Sequence, residues 1–315
     1  MRVVRGHAAV LCCVGYWRLS AGSALARRLH AVYRALVFTT TCFYLLQECV
    51  YAYQEKGDMG KLSRVMFLLL CHVTSLAKQL VFHVDADRID LMIAGLDHAA
   101  RLRRGYAGCA SLTCLLWAMY AAQAHARRQP FDFPLWIGIN TTNTIRFVIV
   151  LLYTFYVTTL VGVANTTMDA FIATVLYLCK TQLSILRMNF ESLPEAVSAV
   201  SVARGQRRDA VFTTLFVECW EHYKKICETA RLVQDIFGGA ILVQFGIGSW
   251  ILCMAAYKII SLDFLSIEFA SMILFILCIL TELFLYCYYG TELTEESALL
   301  VDSVYGMRWV REGRA

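Results

Sequence analysis

Residues 143 to 186 read NTIRFVIVLLYTFYVTTLVGVANTTMDAFIATVLYLCKTQLSIL, and this stretch decides the fold. It is apolar for about twice the 20 residues that a helix needs to cross a bilayer. It holds no proline, and its one weak turn signal is Gly162. Cut at Asn165-Thr166-Thr167-Met168-Asp169, it would give two spans and seven in all. Left whole, it gives one helix that crosses the membrane and runs on past it.

Charge decides between the two, because cytosolic loops carry the excess of Lys and Arg. With the stretch whole, one side collects Arg2, Arg5, Arg18, Arg27, Arg28, Arg88, Arg101, Arg103 and Arg104. It also collects Arg204, Arg207, Arg208, Lys224, Lys225 and Arg231, then Arg308, Arg311 and Arg314. The other side keeps Lys56, Lys61, Arg127, Arg128 and Lys258. Cutting the stretch would move the basic loop at 204–231 to the outside. The expected fold is therefore all-α, a polytopic helical membrane protein of six spans with a cytosolic extension of helices four to six.

The bulk composition agrees. Of 315 residues, 59% are hydrophobic and 17% charged, and only three are proline. Ordinary soluble domains carry about 25% charge. So apolar a chain hides its surface in lipid, where helices satisfy their own backbone groups. The net charge of +5 comes from residues scattered between apolar runs, which excludes a nucleic-acid-binding face. The thirteen cysteines show no CxxC spacing and read as small hydrophobes in helix contacts.

The other spans fall at about Tyr33–Tyr53, Leu62–His83, Gly108–Ala124, Val233–Ile259 and Ile267–Tyr289. The expected organisation is a cytosolic segment at 1–32, helices one to four within 33–187, a cytosolic loop and amphipathic helix at 188–232, helices five and six within 233–289, and a cytosolic segment at 290–315. Both termini are expected in the cytosol, with an interfacial segment around Cys13 to Trp17. Phe212, Phe216, Cys219, Tyr223, Ile226 and Ala230 recur at helical spacing opposite Glu218, Glu221, Lys225 and Glu228. The fifth span is thus expected to begin as an amphipathic helix that packs against the extended fourth. Thr291 reads as the cap of a new helix, with Glu292, Glu295 and Glu296 near its positive end. Asn140-Thr141-Thr142 is a glycosylation sequon on an outward loop, so Asn140 is the candidate acceptor. Asp169 is placed near the inner interface, and Glu282 near the inner end of the sixth span, where it would pair with a cytosolic base.

Three stretches resemble the insect odorant receptor family. The first runs from Met168-Asp169-Ala170-Phe171 to Lys180-Thr181-Gln182-Leu183-Ser184-Ile185-Leu186, similar to the family's aspartate followed by Gln-Leu-x-x-Leu. The second is Val217-Glu218-Cys219-Trp220-Glu221-His222-Tyr223-Lys224-Lys225-Ile226, similar to Cys-x-x-His-x-x-Ile, with Val243-Gln244-Phe245 after it. The third is Tyr288-Tyr289-Gly290-Thr291-Glu292-Leu293-Thr294-Glu295-Glu296-Ser297, followed by Tyr305 and Trp309. The first half of the chain adds Gly15-Tyr16-Trp17. The resemblance implies a subunit of an odorant-gated cation channel in the cell membrane of olfactory neurons, on their sensory dendrites. It implies assembly with a shared co-receptor into a hetero-tetramer, and a short loop of the kind that marks a tuning subunit. Family members run on into a seventh span after the Tyr…Trp block, so the resemblance carries an expectation that a span is missing after Ala315 and that no pore residue can be assigned. A truncated, non-conducting product and a gustatory receptor are the alternatives on this line.

The implied ligand is a small volatile. With the topology above, the candidate pocket residues are Met66, Leu69 and His72 on the second helix, Trp117 and Tyr120 on the third, and Phe147, Leu151 and Tyr153 on the fourth. Helix packing and lipid contact are the competing readings of each. His72 can equally be a neutral hydrogen-bonded core histidine. For subunit and cytosolic contacts the resemblance points to His222, Tyr223, Thr294, Ser297, Tyr305 and Trp309. No cofactor or metal is expected. The histidines show no HExxH, no GxSxG is present, and no interrupted repeat suggests a transporter. A G-protein-coupled receptor would need an outward N-terminus and an Asp-Arg-Tyr where Gln123-Ala124-His125-Ala126 stands.

Overall fold

The computed structural model describes residues 9–19, 23–86, 89, 100–127, 133–137, 143–260, 262, 264 and 266–306. Their longer helices are α1 (Ala24–Gln54), α2 (Met59–Val84), α3 (Ala100–Ala126), α4 (Thr144–Glu191), α5 (Leu193–Arg204), α6 (Arg208–Ile260) and α7 (Ile267–Gly306). Among the described residues α1, α2, α4, α6 and α7 are each long and apolar enough to cross a membrane.

Local chemistry sets the breaks. Ser23 Oγ accepts from the Ala26 amide at the start of α1. Asp58 Oδ1 accepts from the amides of Gly60 and Lys61 at the start of α2, at 2.9 and 3.1 Å. Each cap satisfies amides that have no partner within the helix. Pro194 stands in the first turn of α5, where its missing N–H costs nothing, and Gly205 closes that helix with φ +59°. The loop expected at 188–232 therefore contains a helix, announced by its Pro and Gly punctuation.

Helix α4 runs 48 residues without a break. Asn165, Thr166 and Thr167 do not interrupt it, because Thr166 and Thr167 turn their hydroxyls back onto the carbonyls of Gly162 and Val163. Helix α6 joins the amphipathic stretch to the apolar run expected as the fifth span, in one run of 53 residues. The expected helix start at Thr291 is corrected, since α7 continues unbroken through it. A helical Gly290 costs only about 1 kcal/mol against alanine, and Thr294 Oγ1 donates to the Gly290 carbonyl at 3.0 Å inside the helix.

The chain divides into two compact units. The first comprises residues 1–171 and 236–284. In it the segment from Cys13 to Trp17 packs against α1 and α2, with Tyr33 Oη donating to the Cys13 carbonyl at 2.8 Å. Tyr16 and Trp17 are buried; Trp17 packs edge-on to Phe82 at 5.6 Å, and its carbonyl bonds His30 Nε2 at 2.9 Å. Phe82, Phe171 and Phe237 form a ring cluster beside them.

The second unit comprises residues 172–235 and 285–315. Its core joins Leu183, Leu186 and Phe190 of α4, Leu193 and Val197 of α5, Val211 and Ile226 of α6, and Leu300 of α7. Phe212, Phe216, Cys219 and Tyr223 pack on that core, which is the apolar face read from the sequence. Arg187 ties this unit together at its surface, donating to Glu296 at 2.8 Å and Glu191 at 2.9 Å. Glu191 also accepts from Ser303.

Candidate functional site

Four helices of the first unit, with Pro134 and with Lys258 of α6, line a cavity of about 170 Å³. Each contributes one stripe at helical spacing, so the register of the sequence determines what faces inward. Helix α2 supplies Arg64, Phe67, Leu68, Cys71 and His72. Helix α3 supplies Thr113, Cys114, Trp117 and Tyr120. Helix α4 supplies Thr154, Thr158, Val161, Gly162 and Asn165, and α7 supplies Glu268, Ser271, Met272, Phe275, Cys278, Ile279 and Glu282. The wall is apolar, with Phe67 and Phe275 in ring contact at 5.2 Å.

Ionic groups close both ends. At one, Lys258 pairs with Glu268 at 3.3 Å, and Tyr120 lies beside Glu268 and Arg64. At the other, Glu282 meets Lys78. That ammonium donates to Glu282 Oε1 at 2.5 Å, to Asn165 Oδ1 at 3.2 Å and to Asp169. Asn165 Nδ2 in turn donates to Asp169 Oδ2 at 3.1 Å. Lys78, Asp169 and Glu282 are all but fully buried. One cation thus joins α2, α4 and α7, and the hydrogen bonds it makes offset the cost of taking charge out of solvent. Arg64 to Lys78 on α2 and Glu268 to Glu282 on α7 are equal steps, about 20 Å of helix each. Between the ends, His72 Nδ1 bonds the buried Glu48 Oε2 at 2.8 Å.

Of the pocket candidates read from sequence, His72, Trp117 and Tyr120 line this cavity. Phe147 sits instead in a neighbouring packed cluster with Tyr44, Phe133, Val150 and Val157, stacked on His125 at 3.9 Å. Leu151 and Tyr153 pack on that cluster, and the Tyr153 hydroxyl donates to Gln47 at 3.0 Å. Met66 and Leu69 are half-buried on α2, between the residues that face the cavity.

In the second unit, Tyr223, Thr294 and Ser297 line a groove with Leu183, Ile226 and Leu293. His222 Nε2 bonds Gln182 Oε1 at 3.1 Å. Tyr305 is 81% exposed. Trp309 and Asn140 lie outside the described residues.

The expected cytosolic partner of Glu282 is corrected: its base is Lys78, from within the apolar run of α2. Sequence reading passed over Lys78 and Glu48 altogether. The available signal was three ionisable residues, one in each of three apolar runs and of opposite sign, which the cost of an isolated charge in lipid requires to meet.

The chain matches the family model described as 7tm Odorant receptor over residues 28–315. The chain belongs to the odorant receptor family. It is therefore a multi-pass membrane protein of a receptor family, not of an enzyme family. Among curated relatives, Odorant receptor 85c of Drosophila melanogaster is 23% identical over 148 residues, 46% of this chain and 36% of that one. The Odorant receptor coreceptor of Ooceraea biroi is 29% identical over 94 residues, 30% of this chain and 20% of the coreceptor. The match thus spans about a fifth of the length of the coreceptors. In fold, the receptor is similar to the insect olfactory receptor OR5 from Machilis hrabei, with a TM-score of 0.77 at 16% identity over 95% of this chain and 81% of that one. The same receptor in complex with eugenol aligns equally well.

Proposed function

We propose that this receptor is the ligand-binding subunit of an odorant-gated cation channel, and that the cavity between α2, α3, α4 and α7 is its odorant site. The observation that carries this reading is the cavity itself. A space of about 170 Å³ with apolar walls and few polar groups suits a volatile, since a cavity of about 150 Å³ accepts a guest the size of benzene. The eugenol complex of the similar receptor is consistent with a single-ring guest. On this reading the chain crosses the membrane six times, with α3 as the third span and the N-terminus in the cytosol. Residues 172–235 and 285–306 then form a cytosolic bundle. The receptor assembles with a co-receptor as a tuning subunit, and Tyr223, Thr294 and Ser297 lie where a neighbouring element would seat.

The test is whole-cell recording from cells expressing the chain with an insect co-receptor, under a panel of small alcohols, esters, ketones and aromatics. The expected result is a cation current for a subset of the panel that is absent from cells expressing the co-receptor alone. A chain that reaches the surface yet adds no response to any compound contradicts the proposal.

A further inference from the structure

Around His72 several buried polar atoms make fewer bonds than they can. Glu48 Oε2 is taken by His72 Nδ1, but Glu48 Oε1 has no protein partner among the described residues. The Tyr44 hydroxyl lies beside Glu48 and next to the Thr154 hydroxyl, its side-chain partner, and neither hydroxyl makes a hydrogen bond of full geometry among the described residues. Tyr44, Glu48 and Thr154 are at most 1% exposed, and His72 is 4% exposed. The Tyr44 ring stands edge-on to the His72 ring at 5.3 Å. Folded interiors leave few polar atoms in this condition, because an unpaired buried donor or acceptor forfeits its hydration for nothing. Here the shortfall borders a cavity, for His72 and Thr154 both line it.

The chemistry of the two lining groups states what would satisfy them. In the neutral tautomer whose Nδ1 donates to the Glu48 carboxylate, Nε2 of the same His72 ring is an acceptor. The Thr154 hydroxyl can donate or accept. A guest that donates one hydrogen to Nε2 and accepts one from Thr154 answers both. A hydroxyl does this with a single atom. An ether or ketone accepts only and leaves Nε2 unanswered, and a hydrocarbon answers neither.

We propose that the odorant site selects apolar alcohols or phenols, whose hydroxyl donates to His72 Nε2 and accepts from the Thr154 hydroxyl while the carbon skeleton lies against Phe67, Met272 and Phe275. This rests on the reading of the cavity as the ligand site and adds the class of ligand. It also assigns Thr154, which sequence reading did not single out, as a specificity-determining residue.

The probes are benzyl alcohol, its isomer anisole, and ethylbenzene, which fills similar space with no polar atom. Binding is measured on the purified full chain in lipid nanodiscs by the ligand-induced shift of thermal unfolding. Benzyl alcohol is expected to bind at least about tenfold more tightly than anisole or ethylbenzene, a margin that one lost buried hydrogen bond supplies. Thr154→Val, which keeps the side-chain shape, is expected to bring benzyl alcohol down to the ethylbenzene level and leave ethylbenzene unchanged. Thr154→Ser is expected to retain the preference. Equal binding of the three probes, unaltered by Thr154→Val, overturns the selectivity while leaving the cavity as the ligand site. Absence of binding by all three, with wild type and a cavity-filling Gly162→Leu variant behaving alike, counts against the cavity reading itself and removes the inference with it.

Discussion

Lys78 Nζ on α2 donates to Glu282 Oε1 on α7 at 2.5 Å, with both side chains nearly inaccessible to solvent. The same ammonium holds Asp169 of α4, so one residue fastens three helices at the end of the cavity. Removing one member of such a cluster leaves charge buried without compensation. Lys78→Met is expected to destabilise the first unit by about 3–5 kcal/mol. The triple change Lys78→Met, Asp169→Asn, Glu282→Gln is expected to recover most of that loss. Thermal unfolding in detergent compares the two, and a triple variant no more stable than the single one would contradict the account.

Gly162 lines the cavity from α4, and a Cβ there would meet only Cys114 Sγ, at 3.9 Å. Ordinary contact leaves alanine free to act through helix propensity. Gly162→Ala is therefore expected to stabilise the fold by about 0.5–1 kcal/mol. Gly162→Leu directs a branched side chain into the cavity, so a receptor that still reaches the surface is expected to lose its volatile response. Surface labelling and whole-cell current, read on the same cells, separate the two effects.

Gly15 has φ +78°, and a Cβ on it would stand 2.9 Å from Val37 Cγ2. Both the backbone region and the space exclude a side chain. Gly15→Ala is expected to cost about 1–3 kcal/mol and to loosen the burial of Tyr16 and Trp17. A lowered unfolding temperature with a red-shifted tryptophan emission is the signature.

Leu186 is fully buried at the centre of the second unit, against residues of α4, α5, α6 and α7. Leu186→Ala is expected to destabilise that unit by about 2–5 kcal/mol. Val202, 86% exposed on α5, provides the control, since Val202→Ala at such a surface stays within about 0.5 kcal/mol. Limited proteolysis of the 192–207 region reads the difference.

Much of this fold was legible because lipid imposes simple demands. The length of the apolar run from Thr144 and the lack of a breaker at Asn165 give the unbroken α4, and the spacing of Phe212, Phe216, Cys219 and Tyr223 gives the face that packs on Leu183 and Phe190. Two resembling motifs, read separately, prove to touch, since Gln182 of one bonds His222 of the other. The cavity was harder to read. In an apolar helix, faces toward lipid and toward protein are chemically alike, so Phe147, Leu151 and Tyr153 carried the same signal as Trp117 and Tyr120 yet pack in the neighbouring cluster. What does distinguish an inward face in lipid is an ionisable or polar residue. Lys78, Glu48, Thr154 and Asn165 held that information. The Thr291 cap misled because a capping sequence acts only where a helix begins, and α7 does not begin there.

The most direct test of the odorant site uses the cysteines that line it. Cys71, Cys114 and Cys278 line the cavity, and the first two serve as reporters, whereas Cys49 and Cys253 are exposed elsewhere. Intact cells expressing the receptor with a co-receptor are treated with a small membrane-permeant thiol reagent, with and without a volatile that evokes current, and labelling is read site by site by mass spectrometry. The account predicts that the volatile slows labelling of Cys71 and Cys114 and leaves Cys49 and Cys253 unchanged. A current-evoking volatile that protects neither Cys71 nor Cys114 would place the odorant elsewhere and contradict it.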